Sequence, residues 1–150
     1  MTAINNFIHY YLAFNQRPID DLDDIYSVDV AFSDPVHRIQ GVESLKHYFS
    51  SMCDNLISCH FEFLEQNTDG CSIWFTWNIH FQHPQLRRGQ PLVVPGATRL
   101  TYDSDSNKIT AHEDFYDMGA MLYEHTPILG RCVRWLKQRI IDDARICHER

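Results

Sequence analysis

The sequence predicts an α+β fold in which a sheet made mostly of antiparallel strands curls over helices that precede it. Three observations carry this. Apolar residues recur at helical spacing at Ile4, Phe7, Ile8, Tyr11, Leu12 and Phe14, and again at Val42, Leu45, Tyr48, Phe49, Met52 and Leu56. From residue 58 the period becomes two, and the turn clusters at 67–70 and 103–107 divide that region into runs of hairpin length. Helices first and a strand meander afterwards is the order of a segregated α+β domain, not of alternating parallel units.

Taken in order, residues 3–15 form the first helix, stopped by Asn15-Gln16-Arg17-Pro18. Asp20 or Asp21 caps a short second helix through Leu22, Ile25 and Tyr26. Val28, Val30 and Phe32 then alternate with polar neighbours as one face of a strand. Pro35 ends that strand by removing a backbone donor and holding Asp34 extended. After Gly41 a third helix spans about residues 42–56.

Cys59, Phe61 and Phe63 make one face of the next strand. Residues 71–82 make the longest, with Ile73, Phe75, Trp77, Ile79 and Phe81 on its apolar side. A basic, proline-flanked loop leads to a strand at 92–102, where Pro95-Gly96 marks a bulge or an edge. Residues 108–116 are the last strand. Pro127 restarts a helical pattern with the apolar stripe Ile128, Leu129, Cys132, Val133, Leu136, Ile140 and Ile141 beside several arginines. Two regions follow: a domain at 1–126 and an amphipathic helix at 127–150 that packs on the domain or on a partner subunit.

The chain has 150 residues, enough for one domain with an ordinary core. Its net charge of −7 argues against nucleic-acid binding, which needs a cationic surface. The five cysteines, Cys53, Cys59, Cys71, Cys132 and Cys147, include no C-x-x-C pair, and the N-terminus carries no secretory pattern, so a cytoplasmic location is expected. A dimer through the sheet is expected because its outer side carries large apolar residues. A membrane surface is the lesser alternative for the basic helix.

Chemistry gathers at two places. Asp34 sits at a strand exit before a proline, where it serves either turn geometry or proton transfer. By alternation His112, Asp114 and Tyr116 share a face of the last strand. An aspartate two residues from a histidine can set its tautomer, or the two can form a satisfied polar pair in the core. His80 and His83 lack a third ligand, so no metal is expected.

The order of these pieces, with Phe32-Ser33-Asp34-Pro35, Gly41 and the closing run Ala111-His112-Glu113-Asp114-Phe115-Tyr116-Asp117, resembles the NTF2-like (cystatin-like) superfamily in its SnoaL-like, ketosteroid-isomerase-like branch. The resemblance covers about residues 3–118. It implies a cone whose curved sheet wraps around the N-terminal helices and encloses an apolar pocket. It also implies a cofactor-independent reaction on a small apolar molecule, with an aspartate base and an oxyanion held by a tyrosine and a protonated acid. The base falls on Asp34 and the tyrosine on Tyr10. The second acid is replaced by Thr98. Thr98, Leu100, Tyr116 and Trp74 are the expected pocket wall, and isomerase, cyclase or epoxide-hydrolase-like chemistry is implied. A noncatalytic ligand-binding or regulatory module on the same fold is the other expectation.

Overall fold

Thr2 starts the first helix by accepting a hydrogen bond from the Asn5 amide at 3.3 Å, and α1 then runs Ala3–Leu12. Its buried stripe is Ala3, Phe7, Tyr10 and Tyr11, continued by Phe14. Leu12, expected inside, is exposed, because the inward face is set by Tyr10 and Tyr11. The computed structural model describes residues 2–121 and 129–146. Pro127, Ile128 and Cys147 lie outside them, as do the side chains of Leu129, Ile140 and Ile141.

The second helical segment is a 3₁₀ turn, Ile19–Asp24, with Pro18 before it and no side-chain cap. Asp20 and Asp23 instead bind Lys46 at 3.5 and 2.7 Å. β1, Tyr26–Ser33, and the short β2, Arg38–Gln40, form a hairpin closed by residues 34–37. Val28 was expected inside with Val30 and Phe32, yet it is 83% exposed. The pairing of β1 shifts between Tyr26 and Ala31, which breaks the two-residue period and turns Val28 outward.

Gly41 follows β2 with φ of 90°, a conformation that favours glycine, and its amide donates to the Val30 carbonyl at 2.8 Å. That bend launches α2, Val42–Cys53, whose Val42, Leu45 and Phe49 are buried. The meander is β3, Ser58–Asp69; β4, Ser72–Gln82; β5, Leu92–Asp103; and β6, Lys108–Tyr116. The sheet order is β2-β1-β6-β5-β4-β3, with only β1 and β6 parallel, in a curved, unclosed sheet.

β4 and β5 pair through Pro95↔Asn78 and Gly96↔Trp77 without a shift, so no bulge forms there. β6 reaches β5 only as far as Gly96, and Pro95 is placed where β5 is an edge. Aromatic rings fill the space between the sheet's inner face and the helices: Phe7 lies 5.6 Å from Phe75, Phe14 5.0 Å from Phe49, and Phe61 5.0 Å from Trp77.

The chain divides into two units, Met1–Tyr116 and Asp117–Arg150. In the second, the Asp117 carboxylate accepts from the Gly119 amide at 2.7 Å at the start of α3, Met118–Met121, and from Lys137 Nζ at 2.6 Å on α4, Leu129–Ile146. No helix among the described residues is long and apolar enough to cross a membrane.

Candidate functional site

β1 ends at Ser33, and the next carboxylate is held from both sides. Asp34 Oδ1 accepts the Val36 and His37 amides at 2.7 and 2.6 Å, which is the turn geometry its position before Pro35 predicts. Its Oδ2 accepts the Tyr48 hydroxyl from α2 at 2.5 Å, and the Asp34 side chain is only 3% exposed. The turn and the inward-facing carboxylate are therefore the same arrangement. Burial, and then the hydrogen bond to Asp34, pushes the Tyr48 hydroxyl well above its ordinary pKa, so it remains a donor.

The parallel pairing of β1 with β6 sets Phe32 beside His112. The His112 side chain is fully enclosed, with Nε2 2.8 Å from Asp114 Oδ1 and Nδ1 2.7 Å from the Tyr26 hydroxyl. Tyr11 lies 2.9 Å from Tyr26, hydroxyl to hydroxyl. On the other side of Asp114, Oδ1 accepts from Thr98 Oγ1, which accepts from Trp77 Nε1 at 2.8 Å. One assignment satisfies the whole chain: Trp77 donates to Thr98, Thr98 and His112 Nε2–H donate to the Asp114 carboxylate, Tyr26 donates to Nδ1, and Tyr11 donates to Tyr26. Burial raises both phenols far above their usual pKa, as does the Asp114 charge, so they stay protonated.

Asp114 Oδ2 makes no hydrogen bond to a described residue. A cleft of about 300 Å³ runs from Asp34 and Pro35 to Asp114 and Tyr116, so both aspartates are among the residues that line one space. Burial, then the charges of Asp34 and Asp114, raises the Tyr116 hydroxyl and keeps it a donor at the same cleft.

Asp34, His112, Asp114, Thr98 and Tyr116 thus belong to one neighbourhood. Leu100 joins it as packing, fully buried and in register with His112. Tyr10 does not: its ring packs on Phe14, and the residue lines a separate cleft with Arg17 and Asp21. The helix turn that buries both tyrosines assigns the inner hydroxyl to Tyr11. Trp74 is also displaced from the expected pocket wall. It lies on the sheet's outer face, 39% exposed and stacked on Phe115, because β4 turns Trp77 inward and Trp74 outward.

Sequence reasoning missed Tyr11, Tyr26 and Tyr48 as polar partners. The available signal was that a buried phenol must find a hydrogen-bond partner, and the helical stripe hid it. His80 stacks on His60 at 4.8 Å and binds Glu62, whereas His83 accepts from the Gln85 amide. No group of three metal-binding side chains converges among the described residues. Burial pushes the Cys59 thiol up to about 12, so it is a core residue and not a nucleophile.

The sequence profile of the SnoaL-like domain matches residues 7–112. No curated protein matches the chain in sequence. Solved structures share its fold. A protein of ketosteroid isomerase-like fold from Catenulispora acidiphila DSM 44928, in complex with trimethylamine, is 16% identical with a TM-score of 0.69, over 80% of this chain and 88% of that one. A protein classed as a SnoaL-like polyketide cyclase from Shewanella denitrificans OS-217 is 18% identical with a TM-score of 0.68, over 79% and 90%. TerC, co-crystallized with polyporic acid, is 17% identical with a TM-score of 0.67, over 79% and 94%.

Proposed function

Starting from the fact that this chain belongs to the SnoaL-like domain family, we propose that it is a cofactor-independent enzyme of the isomerase or cyclase type, acting on a small carbonyl compound in the cleft between Asp34 and Asp114. The observation that supports this most is that two aspartates line one cleft, each carboxylate oriented by hydrogen bonds of its own. Asp34 takes a proton from the carbon beside the carbonyl, and the electron pair moves onto the carbonyl oxygen. The Tyr116 hydroxyl donates to that oxygen. Asp34 then returns the proton to a second carbon, while Asp114 Oδ2 accepts a hydrogen bond from a substrate hydroxyl.

The test is proton exchange from deuterated water into a panel of small ketones that carry C–H bonds beside the carbonyl, read by nuclear magnetic resonance. Asp34→Asn and Asp114→Asn preserve an acceptor oxygen for the turn and for Thr98. Each is expected to lower exchange by about 10²- to 10⁴-fold with the fold intact. Unchanged exchange in both variants would remove the assignment.

One observation favours a second reading. His112 is fully enclosed with both nitrogens engaged, which suits a structural histidine beneath a ligand-binding cleft that does no chemistry. In that reading a ketone of the panel binds without exchange, and Asp34→Asn alters nothing but affinity.

A further inference from the structure

The strand register builds a second surface behind the cleft. On the outer face of the sheet, cross-strand pairing puts Arg38, Ser33, Glu113 and Arg99 in one row across β2, β1, β6 and β5. The next row is Gln40, Ala31, Ala111 and Thr101. The two alanines leave a floor between longer neighbours, and the result is a groove of about 450 Å³. Its wall residues Ser33, Arg38 and Glu113 also line the Asp34 cleft, so the two spaces share a rim.

The groove is rich in donors. The only carboxylate among its lining residues, Glu113, is taken up by Arg99 at 2.6 Å. Arg99 is further held over the Trp74 ring at 5.8 Å. The Arg38 guanidinium makes no hydrogen bond or ion pair with a described residue, and the Ser33 and Thr101 hydroxyls make no side-chain hydrogen bond to one. Two arginines against one glutamate leave a net positive charge in this groove, on a chain whose total is −7. A guanidinium without a partner, flanked by free hydroxyl donors, matches the planar acceptor pair of a carboxylate.

We infer that this groove binds the carboxylate of an acidic ligand through Arg38. In the proposed reaction, on which this part of the inference rests, the ligand is the substrate: its acidic group sits on Arg38 and its reacting carbonyl reaches over the shared rim to Asp34. Arg38 is then the residue that selects anionic over neutral compounds.

The test is calorimetric titration of the full chain with 2-naphthoate and with its neutral analogue 2-naphthamide. The naphthoate is expected to bind about tenfold more tightly, with the difference shrinking as salt is raised. Arg38→Gln, checked for retained fold by circular dichroism, is expected to erase that preference, and Arg38→Lys to keep part of it. Equal binding of the two probes, no binding of either, or an unchanged preference in folded Arg38→Gln would overturn the inference. Binding is read without turnover, so unchanged exchange in Asp34→Asn would remove the catalytic reading and leave the Arg38 site standing.

Discussion

Tyr11 and Tyr26 lie in the core with their hydroxyls joined to His112, and burial is the main reason their phenols resist ionisation. The consequence for stability has a definite sign. In the unfolded chain these groups release protons near pH 10, the ordinary tyrosine value, whereas in the folded chain they hold them. Their contribution is therefore fully present below about pH 10 and is lost as pH rises toward the folded pKa, by up to ~1.4 kcal/mol per pH unit for each group. Urea denaturation followed across the alkaline range should show that decline, and Tyr26→Phe should make it shallower. A decline of the same slope in Tyr26→Phe would show that Tyr26 is not its source. Tyr26→Phe also removes the donor to His112 Nδ1 while Asp114 keeps the proton on Nε2, so a shift of the Nδ1 resonance without a change of tautomer should accompany it.

At the scale of the element, β4 and β5 are locked together by a ring lying on a missing side chain. A Cβ at Gly96 would stand 2.2 Å from the nearest atom of the Trp77 indole, so the strand pair closes only with glycine there. That ring in turn donates to Thr98 and so anchors the hydroxyl that orients Asp114. Gly96→Ala should displace the indole and cost about 1–3 kcal/mol in urea denaturation, with a change in tryptophan fluorescence. A stability equal to the parent's would show that the indole can move aside freely. The sequence displays Pro95-Gly96 as an interruption, but it does not display which residue on the neighbouring strand requires it. The same holds for β1, where the exposure of Val28 follows from a shifted pairing with β6 that no local pattern reveals.

At the scale of the whole molecule, the outer face of the sheet carries an exposed apolar pair, Trp74 stacked on Phe115 at 6.0 Å. We propose that a second copy of the chain covers this apolar patch, since water contact with large side chains on one face is costly. Sedimentation velocity should report a dimer, and Trp74→Lys a folded monomer. A parent chain that sediments as a monomer at micromolar concentration would remove the proposal. The patch and the Arg38 groove meet at Arg99, which contacts Trp74 on one side and lines the groove on the other.

The order of the main helices and strands, though not the short β2, the apolar face of β4 and the strand exit at Asp34 were legible from the residues alone, because each depends on local periodicity or on the backbone limits of proline and glycine. So was the shared face of His112 and Asp114, which strand alternation dictates. Only the folded chain decided that Tyr11, not Tyr10, enters the polar network, that Tyr48 holds Asp34, and that Trp74 faces outward. It alone also set Arg38 in line with Arg99 across four strands. Those outcomes depend on helix rotation and strand register, which arise from contacts between segments far apart in sequence, and no short stretch of residues encodes them.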